Sequence, residues 1–402
     1  MVTTATKRNS KTLLYHAQLL DTDRAAFFPG EMLYEDGVIL GTGAPDTLPR
    51  EDAVLLDAHG ALIAPGLVDI HSHGRAGGDF ISADEQTLCR MSRSYLDAGV
   101  TTVMPTLASA PYDEYFAAAD RIRAAAMHAD GARLLGIHLE GRYLNPKKRG
   151  AHAPHLLAPL DPSELAALHE RMCRPDAPTP IRLSAAWELD GSGEFITTAR
   201  ALGIALSLGH TEASYAQACE IVGRGVSCFT HLFNAMPPLH HRDGGAVAAC
   251  FDCGAYGEII CDGFHIAPHM VRLAYRLLGR EHTILVSDSM QGTGCPDGSY
   301  TIAGMDVIVK EGKAYTTDGA IAGSTLGLLD GVRNLMQFCK IPLADALCCA
   351  TVNPARAANI DTLVGSLKAG LAADFLMLRQ DRDQITLTDI YVGGIGKGGI
   401  RS

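Results

Sequence analysis

The central part of the chain alternates between short apolar runs and longer amphipathic stretches. The apolar runs lie at Ala61–Asp69, Thr101–Thr106, Leu134–Leu139, Ile181–Ala186, Ala205–Gly209, Val226–His231, Glu258–Cys261 and Thr283–Val286. Stretches with the spacing of helices separate most of them, at Asp84–Ala98, Tyr112–His128, Ser163–Cys173, Ser192–Leu202, Tyr215–Arg224 and Pro268–Leu278. Since the runs are continuously apolar, we predict parallel strands that are buried on both faces. Eight such strands with helical crossovers predict an α/β fold, a closed (β/α)₈ TIM-like barrel rather than an open doubly wound sheet.

The two ends of the chain have a different, β-rich pattern. Strand-like runs separated by turns lie at Thr12–Tyr15, Glu31–Tyr34, Gly37–Leu40 and Ala53–Asp57, and similar runs return at Ala373–Leu378, Ile385–Leu387 and Asp389–Val392. We therefore predict one small β-sandwich domain formed by residues 1–60 and 367–402, beside a barrel domain of residues 61–366. Residues 298–320 predict a β-hairpin excursion from the barrel, followed by helices at Leu326–Cys339 and Leu343–Val352.

Composition and charge narrow the class of function. The 402 residues carry a formal net charge of −11, which argues against binding to nucleic acid or to acidic lipid. The N-terminus lacks an uninterrupted apolar signal segment and no later apolar run is long enough to span a bilayer, so we expect a cytoplasmic protein without a membrane partner. The odd number of cysteines, 11, then predicts reduced thiols.

Candidate metal ligands follow the predicted strands. His71 and His73 are separated by one residue at the end of the first strand, so both side chains point to the same side of the chain. The later strands end in further polar residues, namely Glu140, His210, His231, Asp262, His265 and Asp288. Because the catalytic groups of such barrels lie where strands end, we expect these histidines and carboxylates to meet at one barrel mouth. Imidazole and carboxylate ligands without a cysteine cluster predict Zn²⁺, with Fe²⁺ and Mn²⁺ as competitors.

The chemistry expected of this site is hydrolysis. A metal with an open coordination position lowers the pKa of a water molecule towards 7, which makes it a nucleophile at neutral pH. A remaining carboxylate can take the proton of that water, and we assign this role to Asp288, which follows the very apolar run Ile284–Val286. The cluster Lys147-Lys148-Arg149, with Arg142 and Arg242, is either a local anion site or a solvated turn.

Longer motifs are more specific than the single residues. They cover residues 65–74, 138–141, 145–152, 209–211, 230–236, 262–265, 286–290 and 296–300. Over nearly the whole chain the sequence resembles the amidohydrolase superfamily, and the motifs His138-Leu139-Glu140-Gly141 and His231-Leu232-Phe233-Asn234-Ala235-Met236 narrow the resemblance to its N-acetylglucosamine-6-phosphate deacetylase branch. The resemblance implies a metal-dependent enzyme that hydrolyses the N-acetyl group of a phosphorylated amino sugar.

The resemblance also implies a division of the metal ligands. Glu140, His210 and His231 would bind the more constant metal, with Glu140 in the place of the carboxylated lysine found in many relatives. His71 and His73 would bind a second metal together with Glu140. Some relatives lack the His-x-His motif and use one metal, so we expect one or two ions per subunit.

The remaining site residues receive roles by the same resemblance. Asp288 would act as general base and then as general acid to the departing amine, and His152 would hydrogen-bond the sugar or the acetyl carbonyl. The 6-phosphate would be held by Arg242, His265 and the backbone N–H groups of Asn234 and Ala235. A homodimer is expected, in which Arg242 reaches into the site of the neighbouring subunit.

Two departures from the family pattern leave the sugar open. Arg142-Tyr143 stands where Pro-Phe is usual, and the segment 237–245 replaces a Glu-Pro-Gly pattern. We expect Arg142 either to reshape the sugar pocket or to contact an anionic substrate.

Three alternative functions remain at this stage. The first is the galactosamine epimer of the substrate, which no feature excludes. The second is a cyclic-amide or N-acyl-amino-acid hydrolase, but such relatives offer a lysine near the fourth strand, where this chain has Ala185-Ala186-Trp187-Glu188. The third is a non-catalytic scaffold, which would not need the complete ligand set that this chain retains.

Overall fold

The central strands form a parallel barrel in a computed structural model that describes residues 11–173, 179–317 and 319–398. Barrel strands 1 to 8 are Leu67–Ser72, Val100–Ala108, Ile137–Glu140, Ile181–Ala185, Ala205–Leu208, Cys228–Phe229, Tyr256–Ile260 and Thr283–Val286. Each strand is hydrogen-bonded in parallel to the next in this order. Beyond the end of strand 8, the Asp288 N–H donates to the His71 oxygen at 2.9 Å and brings strands 8 and 1 together. The predicted (β/α)₈ barrel is confirmed.

Helices connect the barrel strands and follow the last of them. They are Glu85–Asp97, Tyr112–His128, Pro162–Met172, Ser192–Ala201, Tyr215–Gly223, Gly245–Asp252, Pro268–His282, Leu328–Cys339, Leu343–Cys348 and Val352–Ala357. Local signals in the sequence set several of their starts. The Asp84 side chain accepts a hydrogen bond from the Thr87 N–H, and Ser214 and Gln217 form a capping box.

Two helices differ from the sequence prediction. The single helix expected over residues 343–352 is two helices, because the backbone of Thr351 (φ −130°, ψ −84°) is not helical. The helix Gly245–Asp252 was not predicted, and it has no side-chain cap at its start. Its N-cap position is Gly244, and the nearby side-chain acceptor is Asp243, whose Oδ1 atom accepts the Gly245 N–H at 3.2 Å, so the usual capping position carries no signal.

The two ends of the chain form one separate sheet, as predicted. Its strands are Thr12–Asp21, Ala26–Glu35, Val38–Gly43, Val54–Asp57, Leu62–Pro65, Phe375–Asp381, Gln384–Val392 and Ile395–Gly396. The first strand pairs with Val54–Asp57 over one part and with Leu62–Pro65 over the next, on either side of a register shift between Leu14 and Ala17. These strands therefore all belong to one branched sheet, whereas the predicted β-sandwich would have two sheets. Residues 1–10 and 399–402 of the predicted small domain lie outside the described residues.

The chain passes from the small sheet to the barrel at Pro65-Gly66. We expected one strand over Ala61–Asp69, whereas Leu62–Pro65 belongs to the terminal sheet and Leu67–Ser72 to the barrel. A Cβ atom on Gly66 would lie 1.9 Å from the Thr101 Oγ1 atom, so this close approach requires glycine. The junction thereby sets where barrel strand 1 begins.

A small antiparallel sheet is inserted after barrel strand 8. Its strands are Gly298–Ile302, Met305–Lys310 and Lys313–Thr316, which confirm the predicted hairpin excursion. Ile302 packs with Met290 in a separate apolar cluster, and it also lines the cavity described below. The inserted sheet thus covers part of the barrel mouth.

The remaining elements are short. They are the strands Gly74–Arg75, Gly78–Asp79 and Arg133–Leu134 and the 3₁₀ helices Pro146–Lys148 and Pro154–Leu156. Within the described ranges, no helix combines the length and the apolar character needed to cross a membrane.

Candidate metal centre and active site

Glu140 lies at the centre of the cluster that the sequence predicted. Its Oε1 atom is 3.2 Å from the Nε2 atom of His210 and 3.2 Å from the Nε2 atom of His231. These two nitrogen atoms are 3.0 Å from each other. Three potential ligand atoms from barrel strand 3 and from the ends of strands 5 and 6 therefore form a nearly equilateral triangle.

His71 and His73 approach Glu140 from the end of barrel strand 1. The Nε2 atom of His73 is 3.0 Å from Glu140 Oε2, and the Nε2 atom of His71 is 3.3 Å from Glu140 Oε1. The Asp288 Oδ1 atom lies 3.5 Å from His71 Nε2 and 3.4 Å from His73 Nε2. The structure thus brings together all five predicted metal ligands and the predicted general base.

The backbone at three of these residues is turned in an unusual way. His210, His231 and Asp288 have φ values of 50°, 31° and 47°, in the left-handed region that residues other than glycine rarely adopt. Each of them follows the end of a barrel strand, and all three side chains are almost completely buried. Strained backbone of this kind persists when the surrounding structure holds it, and it is concentrated at functional sites.

The hydrogen-bond partners of the imidazole rings define their free atoms. The Nδ1–H of His210 donates to the Lys148 carbonyl oxygen at 2.8 Å, and the Nδ1–H of His71 donates to Glu258 Oε2 at 3.0 Å. Nδ1 therefore keeps its proton in both rings, and Nε2, which faces Glu140, is the atom that can offer a lone pair to a cation. His71 Nε2 is fully buried and has no hydrogen-bond partner among the described residues.

This donor set fits a divalent cation. Ligand atoms that are about 2.1 Å from a tetrahedral zinc ion lie about 3.4 Å from one another, close to the separations in the Glu140 triangle. At a separation of 3.0 Å, Nε2 atoms of His210 and His231 that carry no proton would repel each other unless a positive charge lay between them. Imidazole nitrogen and carboxylate oxygen atoms suit Zn²⁺, Fe²⁺ or Mn²⁺.

The two carboxylates of the centre are ionised. Burial opposes ionisation, but the neighbouring His71 and the hydrogen bond from His152 hold the pKa of Glu140 well below its usual value. The pKa of Asp288 is likewise lowered by His71 and His73, although burial acts in the opposite direction. Both carboxylates are therefore negatively charged at neutral pH, the state in which they can bind a cation or act as a base.

His152 is a neutral donor that faces the same centre. Its Nδ1 atom accepts hydrogen bonds from the backbone N–H and the hydroxyl of Ser109, at 3.2 and 2.9 Å. The proton of the ring is therefore on Nε2, which lies 3.6 Å from Glu140 Oε2. Burial lowers the pKa of His152 to about 4, so the ring stays uncharged at neutral pH.

A cavity of about 330 Å³ opens beside the cluster. Glu140, Asp288 and His152 line it, together with Lys147, Lys148, Asn234, Ala235 and His265. A small molecule with an anionic group can therefore occupy the cavity with its other end against the metal ligands.

Only one of the two backbone N–H groups expected to bind the phosphate, those of Asn234 and Ala235, is free to do so. The Asn234 N–H donates to the His231 carbonyl oxygen at 2.9 Å, so it is already used within its own turn. Among the described residues, the Ala235 N–H has no acceptor. The expectation for Asn234 is therefore corrected, because its amide stabilises the turn that carries His231.

His265 and Asp262 form a pair at the end of barrel strand 7. The Nδ1–H of His265 donates to Asp262 Oδ2 at 2.6 Å, and Asp262 Oδ1 accepts the backbone N–H groups of Phe264 and His265, both at 2.8 Å. His265 lines the cavity, whereas Asp262 does not. The sequence predicts Asp262 among the polar groups that meet at the centre. In the structure Asp262 instead orients His265.

Two of the cationic residues lie away from the cavity of their own chain. The side chain of Arg242 is exposed, in a loop before the helix Gly245–Asp252, and it does not line the cavity. Arg142 lies over the ring of Tyr112 at 4.0 Å and 3.5 Å from Glu164 Oε1. The Arg142 side chain does not line the cavity, so the expected contact with an anionic substrate is not seen, and the expectation that it reshapes the sugar pocket stays a prediction.

Sequence reasoning missed a set of buried polar residues beneath the centre. Glu258 and Arg182 are completely buried and form an ion pair inside the barrel, and His138 lies 3.1 Å from Arg182. The sequence feature that could have revealed them is a single charged residue, Arg182 or Glu258, within each of two largely apolar runs. Such residues on a barrel strand face either the interior or the helices, and periodicity alone does not distinguish these cases.

Gly141 provides a test of the His152 position. Its φ is +128°, and a Cβ atom there would lie 2.2 Å from the Ser109 Oγ atom that holds His152. We expect Gly141→Ala to displace His152 and to lower kcat on the order of 10²-fold, as misplaced catalytic groups do. Gly203→Ala is the matched control, because Gly203 also has a positive φ of +73° but no atom lies within 4 Å of its Cβ position. Equal kcat values in the two variants would contradict the expectation.

The barrel and the ligands that converge at its mouth define a metal-dependent hydrolase. The chain belongs to the amidohydrolase family, whose sequence model matches residues 62–395.

The relatives and solved structures agree with this assignment. The N-acetylglucosamine-6-phosphate deacetylase of Vibrio furnissii is 34% identical over 350 residues, which are 86% of this chain and 86% of the relative. The N-acetylgalactosamine-6-phosphate deacetylase of Escherichia coli O157:H7 is 32% identical and covers 91% of this chain and 95% of its own. The crystal structure of N-acetyl-D-glucosamine-6-phosphate deacetylase from Mycobacterium smegmatis has a TM-score of 0.84 and 30% identity, over 96% of this chain and 100% of that chain.

Proposed function

We propose that this enzyme hydrolyses the N-acetyl group of N-acetylglucosamine 6-phosphate, giving glucosamine 6-phosphate and acetate. The observation that carries the proposal is the convergence of Glu140, His210, His231 and Asp288 beside a cavity that Lys147 and Lys148 also line. Support also comes from the relatives, since most of the similar proteins are named N-acetylglucosamine-6-phosphate deacetylase.

The metal ligands in this proposal are Glu140, His210 and His231, with His71 and His73 on the other side of Glu140. A divalent cation held by them supplies Lewis-acid polarisation of a carbonyl oxygen and lowers the pKa of water. The ring orientations are set by the protein, because Nδ1 of His71 and of His210 each donates to a fixed acceptor.

Asp288 and His152 handle the protons of the reaction. The ionised Asp288 accepts the proton of the attacking water and later gives it to the departing amine. The Nε2–H of the neutral His152 donates to the acetyl carbonyl oxygen, where negative charge develops in the transition state. Both residues line the cavity, on the side of the metal ligands.

The 6-phosphate is held at the other end of the cavity. His265, the Ala235 N–H, Lys147 and Lys148 are the groups of this chain placed to bind it. We further propose that Arg242 of a second subunit completes this end, since Arg242 is exposed on its own chain and does not line its own cavity. The homodimer is thus part of the proposal.

Replacing Arg242 tests this role. We expect Arg242→Ala to raise KM for the phosphorylated sugar by about tenfold or more while KM for the unphosphorylated sugar changes little. Only the phosphorylated sugar loses a contact with the guanidinium. Arg224→Ala is the control, because Arg224 is also an exposed arginine and pairs with Glu220 on a helix. Steady-state kinetics on both sugars measure the effect, and equal losses on both would remove Arg242 from the phosphate site.

The structure gives less support to the competing reactions. A bridging lysine on barrel strand 4 is not available, and Glu188 just after that strand instead accepts hydrogen bonds from Asn145 and Thr211 at 2.9 and 2.7 Å. Glu140 therefore takes the central position that such a lysine would need. The galactosamine epimer is less favoured, since fewer of the named relatives act on it.

One assay decides between these functions. Acetate release is measured with N-acetylglucosamine and N-acetylgalactosamine, each with and without a 6-phosphate, and with a cyclic amide as a further substrate. The proposal requires the highest kcat/KM for N-acetylglucosamine 6-phosphate. A preference for the galactosamine epimer, or acetate release from none of the four sugars, would overturn it.

Three narrower parts of the proposal concern metal identity, assembly and compartment. We propose Zn²⁺ as the metal, a homodimer as the assembly and the cytoplasm as the compartment. Metal analysis of the purified protein tests the first part and also separates an enzyme from a scaffold, which would contain far less than one equivalent.

A further inference from the structure

Glu258 lies on barrel strand 7, beneath the metal ligands and completely buried. Its Oε2 atom accepts two hydrogen bonds, from the Nδ1–H of His71 at 3.0 Å and from the backbone N–H of His231 at 3.0 Å. Its other oxygen atom pairs with the guanidinium of Arg182. One carboxylate therefore contacts two of the metal ligands, which come from barrel strand 1 and from the end of strand 6.

The ion pair below this carboxylate is also completely buried. Arg182 on barrel strand 4 contacts Glu258, the Cys228 Sγ atom at 3.5 Å and the His138 Nε2 atom at 3.1 Å. A buried ion pair contributes little net stability compared with apolar residues of the same size. Its presence in an otherwise apolar barrel interior therefore calls for a role other than stability.

The contacts of Glu258 provide that role. A hydrogen bond to Nδ1 of His71 keeps the proton on that atom, so the lone pair of Nε2 faces Glu140 and Asp288. The bond to the His231 N–H holds the backbone at a residue whose φ of 31° is strained. Both effects fix the direction of a ligand atom.

We propose that Glu258, held in place by Arg182, is the positioning residue that couples the two sides of the metal centre. It orients the His71 ring and the His231 backbone so that their ligand atoms converge at Glu140. The inference rests on the proposed metal centre, but not on the identity of the sugar. Its readouts need no substrate, so failure of the deacetylase assay would leave it untouched.

The test compares two double variants that differ in one acceptor atom. Arg182→Met with Glu258→Gln removes the buried charges but keeps an oxygen atom that can accept from His71 and His231. Arg182→Met with Glu258→Leu has a similar shape and no acceptor. Metal dissociation constants are measured by competition with a chelator, and the melting temperature of the metal-free protein is recorded for both variants.

The expected result is a difference in metal affinity between variants of similar metal-free stability. We expect the leucine variant to bind one cation about 10- to 100-fold more weakly than the glutamine variant, the usual cost of losing such a partner of a ligand. In a His71→Ala background the same comparison should show a smaller difference, because the ring that Glu258 orients is gone and only its contact with the His231 N–H remains. Equal affinities in the two double variants, or an undiminished difference in the His71→Ala background, would overturn the proposal.

A measurement on the unaltered chain does not depend on how the variants fold. Nitrogen-15 NMR of the zinc-loaded protein, labelled at histidine, reports which ring nitrogen of His71 carries the proton, with His71→Ala used for assignment. We expect the proton on Nδ1. A proton on Nε2 would contradict the proposed role of Glu258, whatever the variants show.

Discussion

Replacing Asp288 by asparagine is expected to leave the metal content unchanged and to lower kcat on the order of 10³-fold. The amide cannot accept the proton of the attacking water, and the loss of a central acid–base group typically has this effect. Asparagine fits the site, because it has the shape of aspartate and tolerates the left-handed backbone (φ 47°) found there. The measurement is kcat with saturating N-acetylglucosamine 6-phosphate, beside metal analysis of the same sample.

A matched control separates this effect from a general loss of charge. Asp306→Asn changes an exposed aspartate on the inserted sheet and should leave kcat within about twofold of the unaltered enzyme, as surface changes usually do. If Asp288→Asn retained a similar rate, another residue would have to be the base. If it lost metal as well as activity, Asp288 would be a necessary ligand rather than only the acid–base group.

Replacing Glu140 by glutamine is expected to abolish both metal binding and activity. The two oxygen atoms of Glu140 lie within 3.0 to 3.6 Å of the Nε2 atoms of His73, His152, His210 and His231, so both sides of the centre depend on this one carboxylate. Glutamine keeps the shape but removes the negative charge and turns one ligand atom into a donor. We expect less than about 0.1 equivalent of metal after dialysis and a decrease in kcat of more than about 10⁴-fold.

The control for Glu140 is another glutamate at the same end of the barrel. Glu164 lies 2.8 Å from the Tyr143 hydroxyl and does not line the cavity. Glu164→Gln should therefore retain metal and activity. A full metal complement in Glu140→Gln would show that the ion is held elsewhere, and the proposed metal centre would be wrong.

The ligand set was predictable because it depends on two features that are local in sequence. Glu140, His210 and His231 each end or closely follow an apolar run, and the regular alternation of runs and helical stretches predicts a closed parallel barrel. In such a barrel all strands end at one rim. Residues far apart in sequence are then expected to meet, without knowledge of any single contact.

The direction of individual side chains was not predictable in this way. Arg142 is only two residues from Glu140, yet its backbone is left-handed (φ 63°), and its side chain lies over the Tyr112 ring and does not line the cavity. The Asn234 N–H lies beside the cavity, but the turn after His231 uses it internally. Both outcomes depend on backbone angles in loops, which the residue types alone do not specify.

The chain's sequence by itself determined the barrel, the terminal sheet and the kinds of ligand at the barrel mouth. These follow from hydrophobic periodicity and from residues that punctuate strands, which act over a few positions. Only the tertiary structure decided that Glu258 and Arg182 face each other inside the barrel, and that Glu258 reaches both His71 and His231. A buried charge can be tolerated only beside its partner, and that partner lies on a strand many residues away, so its identity emerges only when the barrel closes.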